Sequence, residues 1–264
     1  MTGRPGLDPS LKLTSQQKSI LIGTLLGDGS ISKPATPNQN AKIRLTQSTK
    51  NKQLIEAWVE MFKEYIRATP RPAQRKSPSS NNMVNTLNIT TRAHPEFTRL
   101  IPHFGGAGKD KTVPKVSFLK DNLDWEGLAY LVMQDGSVKS DQSKGIEIHT
   151  QGFDGFAPTA RLCLALYERF GIMASPTRYE KADNTARNST KKTQYNVYIS
   201  GHSLPLLTAN MLPFMLPDFV YKVPNPHVRE LTNVDQRSWD CFYEKYKDAP
   251  FKEDLSIFID CPDE

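Results

Sequence analysis

Two tripeptides invite chemistry: Asp28-Gly29-Ser30 and Asp135-Gly136-Ser137, each closing an apolar run, LIGTLLGDGSI and LAYLVMQDGSV. A helix C-terminus already carries partial negative charge and unpaired carbonyls, so a carboxylate there is mildly repelled by its own backbone. For one such run a turn is the ordinary explanation, because Asp-Gly is a common turn pair. A turn does not need aspartate twice, at the ends of two buried helices. If the runs pack on each other, both carboxylates meet at one end, in a site that stays repulsive until protons or cations fill it. Hard oxygen donors with room for water suit Mg²⁺ better than zinc, and metal ions bridging two acids serve phosphodiester hydrolysis.

Other residues recur with the aspartates. Lys111 in KTVP and Lys222 in YKVP are either solvated or reach a scissile phosphate as charge stabilisers. Gln47 and Gln151, which end RLTQ and IHTQ, are either ordinary strand polars or groups that hold an attacking water. The five histidines stand in no ligand spacing. Cys163, Cys241 and Cys261 are far apart and form no CxxC pair, which argues against a disulfide framework and a zinc site and for a reducing compartment.

These residues are positioned by elements that the sequence repeats in order. After the twin apolar runs come RLTQ and IHTQ, then LNITTRA and VYISGHS, then the two lysine segments. Thr14 with Gln17 reads as a capping box opening the first helix, which ends near Asp28; Asp124 is the N-cap of its partner. AKIRLTQS and KGIEIHTQ alternate like strands. In NKQLIEAWVEMFKEYI, residues Leu54, Ile55, Trp58, Val59, Phe62 and Ile66 share one helical face, and TARLCLALYERFGI, ended by Gly171, is its counterpart. NTLNITTRA and TQYNVYISGHS read as further strands, EFTRLIPHF and LPLLTANMLPFML as closing helices. Gly23 and Gly27, four apart, clear side chains from one face of the first helix, where the second must approach.

Composition favours a polyanionic partner. The chain has 264 residues and a formal charge of +6. Asp240 to Glu264 holds eight acids against three bases, which leaves +11 on residues 1–239. No acid occurs between Glu64 and Glu96, whereas Arg67, Arg71, Arg75, Lys76 and Arg92 do. Basic β-ribbons of this kind enter a DNA major groove and read base edges. The candidate DNA contacts are Lys33, Lys42, Arg44, Arg71, Arg75, Lys76 and Arg92 in the first repeat, and Lys139, Lys144, Arg178, Lys181, Arg187, Lys191 and Lys192 in the second. A mean hydropathy of −0.52 with no long apolar run predicts no transmembrane helix, and the N-terminal residues show no signal core or transit peptide.

With its two motifs LIGTLLGDG and LAYLVMQDG and its KTVP and YKVP segments, the chain resembles the LAGLIDADG homing endonucleases of the monomeric, two-repeat, intron-encoded type. The resemblance runs from about Thr14 to Arg229. It implies an α+β fold of two pseudo-symmetric αββαββα halves, residues 1–120 and 121–232, forming a saddle of antiparallel sheets around a central helix pair. Residues 233–264 remain as an acidic tail, expected to pack peripherally. It implies a metal site formed by Asp28 and Asp135 with Gly27 and Gln134, and a catalytic set of Asp28, Asp135, the basic residues Lys111 and Lys222, and Gln47 and Gln151. The implied activity is Mg²⁺-dependent cleavage of both strands of a long asymmetric target, leaving 3′ overhangs, with Mn²⁺ substituting and Ca²⁺ binding without supporting cleavage. A monomer acting on double-stranded DNA, with no membrane association, and an organellar gene in mitochondrion or chloroplast go with it. The alternative on the same scaffold is an intron RNA maturase whose partner is its host intron RNA. Two residues depart from the pattern. Gln134 stands where many second motifs carry another acid, and Tyr130 takes the place of Gly23, which predicts an asymmetric helix interface.

Overall fold

The computed structural model describes residues 7–32, 34, 36, 38–76, 82–105, 111–139, 145–150, 152–153, 155–179, 194–224 and 233–253, the backbone alone at 233–238. The first half runs α1 (Ser15–Leu26), β1 (Ser30–Ser32), β2 (Lys42–Ser48), α2 (Lys52–Met61), β3 (Arg71–Lys76), β4 (Met83–Thr90), α3 (Pro95–Thr98) and α4 (Ile101–Phe104). A connecting helix α5 (Val116–Asn122) leads to α6 (Trp125–Asp135), β5 (Gly136–Val138), β6 (Ile146–Ile148), α7 (Phe156–Phe170), β7 (Ala174–Tyr179), β8 (Gln194–Ile199), α8 (Leu204–Asn210) and α9 (Asn233–Tyr246). The architecture is α+β: two antiparallel four-stranded sheets, ordered β1-β2-β4-β3 and β5-β6-β8-β7, with helices packed on them.

The expected capping box starts α1. Thr14 Oγ1 accepts from the Gln17 N–H at 3.1 Å, and Gln17 Oε1 accepts from the Thr14 N–H at 3.1 Å. From Gln17 to Leu26 every residue except Lys18 is buried, as befits a helix enclosed on all sides. Its neighbour is α6, whose N-cap Asp124 accepts from the Gly127 N–H at 2.9 Å and from the Ser19 hydroxyl at 2.5 Å, pinning the first turn of α6 to α1. The backbones touch where α1 has Gly23 and α6 has Gly127; a Cβ on Gly23 would lie 1.8 Å from the Gly127 carbonyl oxygen. Since Tyr130, not Gly127, is the repeat counterpart of Gly23, the crossing is asymmetric by one helical turn.

Each sheet buries one face under a long helix. Along β2, Ile43, Leu45 and Gln47 are buried while Lys42 and Arg44 are exposed. Leu54, Ile55 and Trp58 of α2 and Leu162, Leu164 and Leu166 of α7 are fully buried in the same core, each worth about 1.5–3 kcal/mol of burial. The C-terminal segment is more than a peripheral cover. Trp239, Phe242 and Tyr246 of α9 and Phe251 beyond it are buried, with Tyr167 4.8 Å from the Trp239 ring. The buried Arg161 of α7 donates from Nε to the Phe251 carbonyl at 2.6 Å and from a terminal nitrogen to the Val113 carbonyl at 2.8 Å, joining this segment to the lysine loop of the first half.

Candidate active site and nucleic-acid face

The helix pair delivers Asp28 and Asp135 to one end. Asp135 is the last residue of α6, and Asp28 follows the C-cap Gly27 of α1. Burial first and then the negative charge of Asp28 push the Asp135 carboxyl up to about 7, against the opposing pull of Lys111 and Lys222. The Asp28 side chain keeps a path to solvent, yet the protein crowded around its carboxyl also raises it above the usual carboxylate range. A hydrogen bond from Gln47 Nε2 to Asp28 Oδ2 at 2.6 Å and the charges of Lys111, Arg75 and Lys222 work the other way. Gln47 is itself held, its Oε1 accepting from Asn51 Nδ2 at 2.9 Å.

The two lysines answer the electrostatic problem posed by acids at helix C-termini. Lys111 Nζ donates to the Gly27 carbonyl. Lys222 Nζ donates to the Met133 carbonyl at 2.7 Å and to those of Val132 and Gln134 at 3.4 Å. Each lysine therefore caps the motif helix of its own half, where a cation is favoured. Burial lowers both ammonium pKa values below the usual lysine range, and the two carboxylates raise them in opposition. Among the open readings of these lysines, simple solvation does not hold. The carbonyls of Gly27 and Gln134, expected beside the metal, already accept from ammonium groups.

The Gln134 side chain does something the sequence did not reveal. Its Oε1 crosses the helix interface and accepts from the Asp28 N–H at 2.8 Å. Gly27, its repeat counterpart, makes way for it: a Cβ there would lie 2.8 Å from Gln134 Oε1. Gln151 lies outside the described residues. In the sheets, Ser30 opposes Arg44 while Ser137 opposes Glu147, so the register sets Thr150, one residue before Gln151, in the place of Gln47. Thr150 points inward, its hydroxyl donating to the Tyr195 carbonyl at 2.7 Å.

The exposed face of the first sheet is cationic and rich in amides. Lys42, Arg44, Arg71, Arg75 and Lys76 are all exposed. Thr46 and Arg71 both oppose Asn88, and Thr46 Oγ1 lies 2.5 Å from Asn88 Oδ1. Arg92 follows β4, where its N–H donates to the Tyr65 carbonyl. The second face differs in kind. Glu147 occupies the register position of Arg44, and Lys139 sits 3.8 Å from its carboxylate and 4.7 Å from the Tyr198 ring. Arg178 is exposed on β7. Lys33, Lys144, Lys181, Arg187, Lys191 and Lys192 fall outside the described residues.

A pair of four-stranded antiparallel sheets about two packed helices, with an aspartate closing each helix, defines the class: the chain belongs to the LAGLIDADG DNA endonuclease family, whose model matches residues 18–207. It is 32% identical over 215 residues to the "Probable intron-encoded endonuclease 1" of Wickerhamomyces canadensis, covering 80% of this chain and 85% of that one. Its fold is similar to that of the homing endonuclease I-WcaI bound to its DNA recognition sequence, with a TM-score of 0.65 and 25% identity, over 81% of this chain and 88% of that one. It is also 23% identical over 214 residues to the cytochrome b mRNA maturase bI2 of Saccharomyces cerevisiae; the match takes in 78% of this chain and 47% of the maturase.

Proposed function

We propose that the chain is a site-specific double-strand DNA endonuclease of the homing type, cutting one phosphodiester in each strand of a long asymmetric target, leaving 3′ overhangs and promoting intron mobility. The observation that carries the reading is the convergence of Asp28, Asp135, Lys111 and Lys222 at the paired ends of α1 and α6. Among the described residues no group of three or more His, Cys, Asp or Glu side chains could form an all-protein metal cage. Two crowded carboxylates, both raised by burial and Asp135 further by the charge of Asp28, suit Mg²⁺, which is commonly held through one or two carboxylates, several waters and substrate phosphates. Asp28 and Asp135 are the proposed ligands, with the Gly27 and Gln134 carbonyls as neighbours that share their lone pairs with lysine. The metal would supply Lewis-acid stabilisation and water activation; Mn²⁺ is expected to substitute, and Ca²⁺ to bind without supporting cleavage.

The chain's own groups do the rest. Gln47 holds Asp28 Oδ2 in one orientation. Lys111 and Lys222 fix both helix ends and bring positive charge to where a phosphate would accumulate negative charge. Lys42, Arg44, Arg71, Arg75 and Lys76 on the first sheet, and Lys139 and Arg178 on the second, orient the duplex through phosphate and base-edge contacts. Gln151 retains its proposed part in placing water. The halves are taken as residues 1–120 and 121–232, acting together as a monomer encoded in a mitochondrial or chloroplast intron.

The experiment is cleavage of a randomised duplex library by wild type and Asp28→Asn, in Mg²⁺ and in Ca²⁺, with sequencing of the ends. A recurrent double-strand break by wild type in Mg²⁺ alone is expected. Tight nucleic-acid binding without cleavage under any condition would overturn the reading and favour the RNA maturase alternative, for which the likeness to the yeast maturase speaks.

A further inference from the structure

The two carboxylates of the site are not held alike. Asp28 is gripped twice: at its carboxylate by Gln47 Nε2 at 2.6 Å, and at its backbone by Gln134 Oε1, which accepts the Asp28 N–H at 2.8 Å from the opposite helix. Asp135 receives neither grip among the described residues. The residue that would have to reach across to its backbone is Gly27, which has no side chain, and Thr150, in the register place of Gln47, spends its hydroxyl on the Tyr195 carbonyl. The backbone carbonyl of Asp135 is instead tied to the His149 N–H at 3.0 Å, within its own half.

Gln134 is also costly to keep. It is 8% exposed, and its Nε2 is buried with no hydrogen-bond partner among the described residues. A position selected for packing alone would carry an apolar side chain of that length and avoid the unmet donor. Its Oε1 leaves no space for a Cβ at Gly27. The carboxamide thus occupies the gap left by Gly27, from which a side chain of α6 reaches the backbone of the aspartate that follows α1.

We propose that Gln134 is a positioning residue that crosses the helix interface to lock Asp28 alone, so that the cleavages of the two strands depend on it unequally. The inference rests on the endonuclease reading. Gln134→Met keeps length and burial while deleting the acceptor; Gln134→Glu keeps an acceptor at the same reach. Both leave the main-chain carbonyl in place.

The test uses full-length wild type and both variants on a supercoiled plasmid carrying the target recovered from the library, with the cut in each strand followed separately. With Gln134→Met, cleavage of one strand should slow at least about tenfold more than that of the other, so nicked circles accumulate. Gln134→Glu should restore much of the balance. Equal slowing of both strands, or no change in either, overturns the proposal. Hydrogen exchange of the Asp28 amide in metal-free protein supplies a readout independent of cleavage. Strong protection in wild type, lost in Gln134→Met while the amides of Leu21 and Ile22 keep theirs, supports the lock; an Asp28 amide that exchanges freely in wild type overturns it. If Gln134→Met does not fold, the wild-type amide still decides. If wild type cuts no DNA yet protects this amide, the endonuclease reading fails while the lock stands.

Discussion

At the scale of single residues, the folded protein works against its own charges. Burial and the charge of Asp28 push the Asp135 carboxyl up to about 7 from an ordinary value of 3.8. A carboxyl raised by folding contributes stability that is complete below its unfolded pKa and lost as pH rises through its folded pKa. Metal-free wild type should therefore fall behind Asp135→Asn in thermal stability as pH climbs from 4 to 7, with the gap constant above that. A gap on the order of 10 °C is expected, the shift being worth roughly 4 kcal/mol and each kcal/mol about 2–4 °C in a chain of this size. Melting curves across that range with and without Mg²⁺ check it, since a divalent ion should close the gap. A gap that is the same at pH 4 and pH 8 would mean that Asp135 is not perturbed.

At the scale of elements, the α1–α6 crossing is the contact that places both acids. Gly23→Ala would drive a methyl into the Gly127 carbonyl and should cost about 3 kcal/mol or more; Gly152→Ala, with nothing within 4 Å of its added Cβ, should be close to neutral. Denaturant melts compare them directly. Phe251→Ala, which empties a fully buried position beside Arg161, should cost about 3–5 kcal/mol. Much of this layer was legible beforehand. The capping box, the apolar runs and the alternation in β2 are local patterns, and Asp28, Asp135, Lys111 and Lys222 could be singled out because each has a partner in the other repeat. What escaped was non-local or disguised. Gln134 acts on a residue 106 positions away, and no pattern announces a side chain that bridges two helices. Glu147 was hidden because aligning RLTQ with IHTQ is one residue out of step with the pairing of the strands. In α9, the aromatic spacing of Trp239, Phe242 and Tyr246 marks a buried face, but the acids around it made the segment look like a tail that packs only at the periphery.

At the scale of the whole molecule, charge sits unevenly. The first sheet presents a cationic face, whereas the second has Glu147 where the first has Arg44. Association with DNA should weaken steeply with salt, with log K falling by about 0.9 per phosphate neutralised for each unit of log salt. Arg71→Ala combined with Arg75→Ala should flatten that slope by about two units if both neutralise phosphates; an unchanged slope would place the duplex elsewhere. Among the described residues no helix is long and apolar enough to cross a membrane.

The helix pair has a consequence for ancestry. Because α1 and α6 are buried along most of their length and pack chiefly against each other, a single half would expose its motif helix. Its self-sufficient form would be a homodimer built on a twofold axis. In such a dimer every position is duplicated, and a useful change in one copy is imposed on the other. Fusion into one polypeptide removes that constraint. Gly27 facing Gln134, the glycine crossing displaced by a turn, and Arg44 matched by Glu147 are differences that a covalently joined pair can accumulate and a homodimer cannot.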